Sequence, residues 1–252
     1  MDELRKLVIE KLVTETDPKE QLRILQEINK TILTKYVIQI EDWIIRPLWV
    51  EAYYYNQKSF PDHNTHKSPK QKNRFGQLYF HEKGYGGLDV CLSEQLPDQE
   101  DYYLSVLLKA TSVYKKGESS SENEFKKQTG IYDILEKTDL TEDVLEKRTD
   151  ILVREERKYK AVVNVARVNL TKPCFKDALL AACLLDDVAF LDHHGFTFPA
   201  GYKKQWQCSI RALSEISDEE KARKKAEEYN NAKIEDKYWN LAKESFACNI
   251  SL

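Results

Sequence analysis

The sequence has little glycine, few cysteines and no excess of positive charge, and each shortage excludes a class of protein. With 8 glycines in 252 residues, a glycine-rich phosphate-binding loop is not expected. The 5 cysteines are widely spaced and form no C-x-x-C pair, which predicts free thiols in a reducing compartment rather than disulfides or a cysteine metal cluster. The net charge of −3 leaves no overall basic footprint for nucleic acid, so any such surface must be local.

Long apolar runs are also missing. No run reaches the length needed to cross a membrane, and the charged N-terminus MDELRKLVIEKLV lacks the apolar segment of a signal peptide. We therefore expect a cytoplasmic protein without a membrane partner. A hydrophobic fraction of 41% with 32% charged residues is typical of a globular chain.

Hydrophobic periodicity predicts an α+β fold, namely a single domain with a mixed, mainly antiparallel curved sheet plus flanking N- and C-terminal helices. Residues 1–36 are expected to form an N-terminal helical unit packed on the core, in which Asp17 caps the second helix and Pro18 begins it. Residues 37–210 are assigned to the α+β core and residues 211–252 to a C-terminal helix.

Within the core, several segments have a distinct pattern. RPLWVEAYYYN and DYYLSVLLKATSVY predict strands, and GQLYFHEKGYGGLDVCLS predicts a hairpin. KKGESSSENEFKKQTG is typical of a solvated linker or insertion. A helix is expected from Pro173 through CFKDALLAACLL.

The strand RPLWVEAYYYN contains one acid among aromatic residues. Alternation along a strand places Glu51 between Trp49 and Tyr53 on one face. A carboxylate in such surroundings is unfavourable unless it is paired, hydrated or functional. The structural alternative is a strand-edge acid that faces water or pairs with Arg46, and the functional interpretation is an acid that activates a water molecule.

Positive charge is concentrated in one polar loop. No acid occurs from His63 to His81, and the same span contains Lys67, Lys70, Lys72 and Arg74. This local patch suits phosphate groups, although a solvated loop would have the same composition. In the following strand, Lys109 interrupts an apolar run, either as a residue whose ammonium reaches solvent or as a cation beside a carboxylate.

Histidines and aspartates cluster in DHNTH and LDHHG, which leaves a metal-dependent hydrolase open as a hypothesis. Its ligands would be His63, His66, His193 and His194. Their spacing matches no strong metal motif, so we expect no metal and no cofactor. The second cluster, followed by Gly195, more simply indicates a turn.

Short motifs in a shared order resemble the alkyladenine (3-methyladenine) DNA glycosylase family. They cover about residues 46 to 112, and NVARVNL at 164 to 170 has a weaker similarity to the family. The pieces are VEAY (50–53), a loop with histidine, NR (73–74), GQLY (76–79), YG (85–86), CL (91–92) and VLLKA (106–110). The resemblance implies an enzyme that removes alkylated or deaminated purines from duplex DNA as a monofunctional glycosylase, acting as a monomer.

The resemblance also implies roles for individual residues. Glu51 aligns with the acid that activates the water attacking the sugar C1′. Lys109 stands where the family has an arginine that helps to hold the water and the acid. Ser93 stands where the family has an asparagine that helps to exclude guanine-type bases.

The remaining implied roles concern the flipped base. Tyr53 aligns with a tyrosine that stacks on the base, and His81 takes the position of a second stacking aromatic residue, a tyrosine in the family. His66 is the best match to the pocket histidine, with His63 next. Tyr85 resembles the tyrosine that is wedged into the DNA stack.

Two alternatives stand beside the glycosylase hypothesis. One is a non-catalytic nucleic-acid or nucleotide-binding relative, which would have the same cleft and basic loop without turnover. The other is an α+β domain whose shared motifs are scaffold.

Overall fold

The computed structural model describes residues 1–81, 87–95, 97, 102–118, 125–127, 130–155, 162–165, 167 and 181–185. The chain begins with helix α1, Asp2–Arg5, which continues into a wider π-helical segment, Lys6–Leu12. Helix α2, Pro18–Lys35, follows. Among the described residues, no helix is long and apolar enough to cross a membrane.

Helix α2 forms where its sequence predicts and packs on the sheet with one face. Asp17 accepts a hydrogen bond from the backbone N–H of Lys19, which satisfies a donor that the first turn leaves open. The residues that α2 buries recur at helical spacing and belong to the same core as the central strands. They include Leu22, Leu25, Ile28 and Ile32.

The sheet has nine strands. In chain order they are β1 Tyr36–Ile40, β2 Trp43–Asn56, β3 Leu78–Phe80, β4 Leu88–Cys91, β5 Tyr102–Lys115, β6 Phe125–Lys127, β7 Leu152–Arg154, β8 Val162–Val165 and β9 Ala182–Leu185. The main order is β3-β4-β5-β2-β1-β7, while β6 pairs with β5, and β9 pairs with both β2 and β8.

Strands β2 and β5 are the centre of this sheet. Their pairing runs from Trp43 opposite Lys115 to Asn56 opposite Tyr102, and a bulge interrupts it next to Pro47. Proline cannot donate a hydrogen bond to the ladder, so a bulge beside it is the expected adjustment. Beyond the bulge, the even-numbered side chains belong to the core that α2 covers, which leaves the odd-numbered face from Glu51 onward for other contacts. These even-numbered residues are Val50, Ala52 and Tyr54 of β2 and Leu104, Val106 and Leu108 of β5.

Two short helices lie between β6 and β7 in the chain. Helix α3 spans Gly130–Lys137 and α4 spans Glu142–Glu146. Thr141 caps α4 by accepting a hydrogen bond from the backbone N–H of Val144. At the end of α4, Glu146 accepts hydrogen bonds from the Arg74 guanidinium and from the backbone N–H of Phe80, which joins α4 to the loop and to β3.

The predicted α+β domain with a curved, antiparallel sheet is confirmed. A mixed sheet was expected, but every strand pair in the described part of the chain is antiparallel. The helix predicted from Pro173 is wrong over its last residues, because Ala182–Leu185 forms β9 between β2 and β8. A short apolar run does not distinguish a buried strand from a helix, and the partners on both sides decided for the strand.

The predicted solvated linker also contains structure. Phe125–Lys127 forms β6 and pairs with β5. The C-terminal helix predicted for residues 211–252 lies outside the described residues.

Candidate functional site

The odd-numbered face of the central strands contains a row of residues that includes two carboxylates and a tyrosine. Glu51 on β2 lies opposite Leu107 on β5, which lies opposite Asp89 on β4, which in turn lies opposite Tyr79 on β3. Directly opposed residues point to the same side of a sheet. The row therefore brings two carboxylates to one face, about 10 Å apart at the backbone if neighbouring strands are spaced by about 4.8 Å.

Glu51 is completely buried, with 0% of its surface exposed. The Tyr53 hydroxyl donates a hydrogen bond to its Oε2 at 2.9 Å, and the Lys109 Nζ lies 3.7 Å from the same oxygen. The ammonium of Lys109 is also 6.0 Å from the ring centroid of Trp49. A buried carboxylate without such partners would be strongly unfavourable, so the cation and the hydroxyl keep Glu51 inside the fold.

Tyr53 is a neutral hydrogen-bond donor to this carboxylate. Burial, followed by the negative charge of Glu51, raises the pKa of the Tyr53 phenol well above its ordinary value, although the positive charge of Arg167 acts in the opposite direction. The phenol therefore keeps its proton, and that proton points to Glu51.

A buried ion pair connects Tyr53 to the loop that follows β2. The Arg167 guanidinium carbon lies 4.5 Å from the centroid of the Tyr53 ring. Its Nη1 donates hydrogen bonds to Asp62 Oδ2 at 2.7 Å and to the backbone carbonyl of Ala52 at 3.4 Å. The side chains of Asp62 and Arg167 are both 0% exposed, so this pair fixes one end of the loop against β2.

Asp89, which is buried, forms a third acid and base pair with His81, which is partly exposed. The Nε2 of His81 lies 3.1 Å from Asp89 Oδ2, and the Gln71 amide donates to the same oxygen at 3.2 Å. Burial lowers the pKa of His81, but the hydrogen bond and the negative charge of Asp89 together outweigh it, so that the His81 pKa is raised above its ordinary value. His81 therefore binds a proton more readily here than an ordinary histidine does.

Three rings form one wall of the site. His66 stacks on His81 with centroids 5.2 Å apart and an interplanar angle of 30°. Tyr79 meets His81 edge to face at 5.0 Å and lies 5.8 Å from His66. His66 is exposed, so this cluster reaches the surface of the protein. His63 lies elsewhere, beside Tyr55, with ring centroids 6.1 Å apart.

The predicted site residues thus divide into groups. The structure brings Glu51, Tyr53 and Lys109 together, and it places His66 against His81. The Ser93 hydroxyl is occupied by the backbone of Leu104, donating to its carbonyl at 3.2 Å and accepting from its N–H at 2.8 Å. Tyr85 lies outside the described residues, as do His193 and His194.

The four cations predicted to bind phosphate have different surroundings in the fold. Lys67 lies over the Tyr55 ring at 3.9 Å from its centroid, and Lys72 lies 5.5 Å from the centroid of Tyr103. The two tyrosines are directly opposite each other on β2 and β5. Lys70 is exposed in a turn of 3-10 helix, whereas Arg74 lies 3.1 Å from the Glu146 carboxylate on α4.

Sequence reasoning gave no role to Asp62, Asp89 or Arg167. A signal existed for Asp89, because a lone acid in the apolar strand LDVC is the same kind of anomaly as Glu51 in its strand. Arg167 belongs to the segment that weakly echoes the glycosylase family, but its contact with Asp62 joins positions 105 residues apart. No local pattern specifies such a contact.

Among the described residues, no group of three or more histidine, cysteine, aspartate and glutamate side chains is arranged to hold a metal ion. In comparisons with known proteins, no family model matches this chain and no curated protein matches it.

Proposed function

We propose that this protein is a DNA glycosylase-like hydrolase that excises alkylated or deaminated purine bases from duplex DNA. The observation that carries the proposal is the arrangement around Glu51. A buried carboxylate is held by a phenol and an ammonium on a sheet face whose neighbouring residues are tyrosine and histidine rings. The resemblance of the same segments to the alkyladenine DNA glycosylase family supports it.

In this mechanism, Glu51 accepts a proton from the water that attacks the sugar C1′. Cleavage of the N-glycosidic bond develops positive charge on the sugar, which a carboxylate stabilises. Lys109 and the Tyr53 hydroxyl both contact Glu51 Oε2, which orients the carboxylate. No cofactor takes part.

The base must leave the duplex to reach this face, because its glycosidic bond is inaccessible inside the stack. Flipped bases are stabilised on aromatic surfaces, and Tyr53, His66 and His81 are the rings proposed to hold the base. Tyr85 is proposed as the wedge that fills the gap in the duplex. The exposed cations of the loop, Lys67 and Lys70, are proposed to contact phosphates.

A second candidate function is a non-catalytic nucleic-acid or nucleotide-binding relative. The complete burial of Glu51 favours it, because a general base must reach a water molecule. In this case the ion pair between Glu51 and Lys109 is structural, and the ring cluster with the basic loop binds a base without hydrolysis.

Release of free base from duplex DNA tests both candidates. The duplexes carry hypoxanthine, ethenoadenine or 3-methyladenine, and the compared proteins are the wild type, Glu51→Gln and the control Glu27→Gln, whose carboxylate is exposed on α2. Release by the wild type and the control, but not by Glu51→Gln, supports the glycosylase. Binding to DNA with no release by any of the proteins supports the non-catalytic relative.

A further inference from the structure

Three carboxylates at the site each pair with a cationic side chain. Glu51 pairs with Lys109 at 3.7 Å, and Asp89 pairs with His81 at 3.1 Å. The third pair, Asp62 with Arg167 at 2.7 Å, lies beneath Tyr53. Lysine and arginine ordinarily keep their charge throughout the physiological range, whereas histidine does not. Of these pairs, the one formed by His81 is therefore the one whose charge can change near neutral pH.

The surroundings of His81 give it an unusual combination of properties. Its partner Asp89 is buried, and the stacked His66 ring is exposed, so His81 lies between a buried carboxylate and the surface of the protein. The hydrogen bond and charge of Asp89 raise the His81 pKa against the opposing effect of burial. Among the described residues, the titratable and charged groups on the same face of the packed elements include Asp89 and Cys91 of β4, Tyr79 of β3, His66 of the loop, and, further along, Glu51, Tyr53 and Lys109.

We infer that the protonation state of His81 selects the charge of the base that this site accepts, with the imidazolium favouring neutral purines and the neutral imidazole favouring cationic, N-alkylated purines. The inference rests on the proposed glycosylase function and deepens it by naming the class of substrate. His81 is thus a specificity-determining residue of the site.

The physical reason is the charge of the pair formed by His81 and Asp89. With His81 protonated, its imidazolium lies 3.1 Å from the Asp89 carboxylate and offsets its charge. Loss of the His81 proton removes this positive charge from beside Asp89, on the face proposed to hold the base. Charges a few ångströms apart in a partly buried site interact strongly because water screens them poorly.

The same pair decides between two kinds of ligand. A base with a fixed positive charge is repelled by an imidazolium that it stacks against, and this repulsion is lost when the imidazole is neutral beside the Asp89 carboxylate. A neutral base lacks this repulsion and gains a favourable contact between its π face and the imidazolium. The neutral tyrosine that the glycosylase family has at this position cannot switch in this way, so the substitution by histidine introduces the pH dependence.

Two duplexes of identical sequence test this inference, one with neutral ethenoadenine and one with cationic 3-methyladenine. The kcat/KM for base release is measured for both, from about pH 5.5 to about pH 8.5, which spans the titration of ordinary histidines. The ratio of neutral to cationic base release is expected to fall on the order of tenfold as His81 loses its proton. In His81→Tyr the ratio is expected to be independent of pH and shifted toward the cationic base.

A matched control and a second measurement make the result specific to His81. His63→Gln removes a histidine whose ring lies beside Tyr55, and this variant should keep the pH dependence of the ratio. Titration of the His81 imidazole by NMR, which requires no turnover, should show a higher pKa in the wild type than in Asp89→Asn.

The outcomes separate the inference from the proposed function. The inference is overturned, and the glycosylase function is kept, if both duplexes release base and the ratio of the two kcat/KM values does not change with pH. The same conclusion follows if the ratio depends on pH equally in the wild type and in His81→Tyr. No release from either duplex at any pH overturns the proposed function and removes the basis of the inference. An ordinary His81 pKa that Asp89→Asn leaves unchanged overturns the inference, whatever the activity.

Discussion

Arg167 lies against Tyr53, with its guanidinium carbon 4.5 Å from the ring centroid. The same guanidinium donates to Asp62, and the Tyr53 hydroxyl donates to Glu51. One continuous set of contacts therefore runs from the loop after β2, through a buried ion pair and a tyrosine, to the proposed general base. A substitution of Asp62 should therefore alter the position of Tyr53 beside Glu51, even though the Asp62 and Glu51 side chains contact different groups.

Removing one member of the Asp62 and Arg167 pair should strongly destabilise the fold. Asp62→Asn removes the carboxylate that pairs with a buried guanidinium, and such changes reduce the free energy of unfolding by about 3 to 5 kcal/mol. The value is measured by urea unfolding. The exposed pair of Arg23 with Glu20 is the control, since Glu20→Gln should change the value by no more than about 1 kcal/mol. Equal effects at both sites would contradict the role given to burial.

Loss of the Tyr53 hydroxyl should reduce base release without weakening DNA binding. Tyr53→Phe keeps the ring against Arg167 but removes the hydrogen bond to Glu51, so a fall in rate on the order of tenfold is expected. Single-turnover release gives the rate, and fluorescence anisotropy gives the affinity for the duplex. Tyr55→Phe, on the same face, serves as the control and should release base at the wild-type rate.

The stability of the protein should depend on pH through His81. Its pKa in the folded protein is raised above the ordinary value of 6.5, because the bond and charge of Asp89 outweigh burial. Protonation therefore favours the folded state. The stabilisation from this pair is fully present below about pH 6.5 and is lost as the pH rises through the folded-state pKa. Unfolding curves at a series of pH values measure it, and in His81→Gln this component should be absent.

The second N-terminal helix should be an integral part of the domain. Ile28 is fully buried in the same core as the central strands, so Ile28→Ala should lower the free energy of unfolding by about 2 to 5 kcal/mol. Glu27→Ala, on the exposed side of the same helix, should leave it nearly unchanged. A separate unfolding transition for the helix, with the sheet intact, would show that the helix is only an appendage.

Local patterns were sufficient for much of the fold. The cap at Asp17, the apolar spacing of α2 and the alternation in β2 and β5 are properties of neighbouring residues, so the sequence alone predicts them. The strand Ala182–Leu185 could not be predicted in this way. Its apolar residues are equally compatible with a helix, and the hydrogen bonds that favour the strand come from β2 and β8.

In the candidate site, too, some features follow from local sequence and others only from the tertiary structure. Alternation in one strand placed Glu51 beside Tyr53, and the sequence by itself singled out both, together with Lys109. The partners of Asp89 and Asp62 were decided by the tertiary structure, because strand register and loop closure bring His81 and Arg167 to them. A carboxylate in the sequence shows that compensation is needed, but only the packed fold determines which cation supplies it.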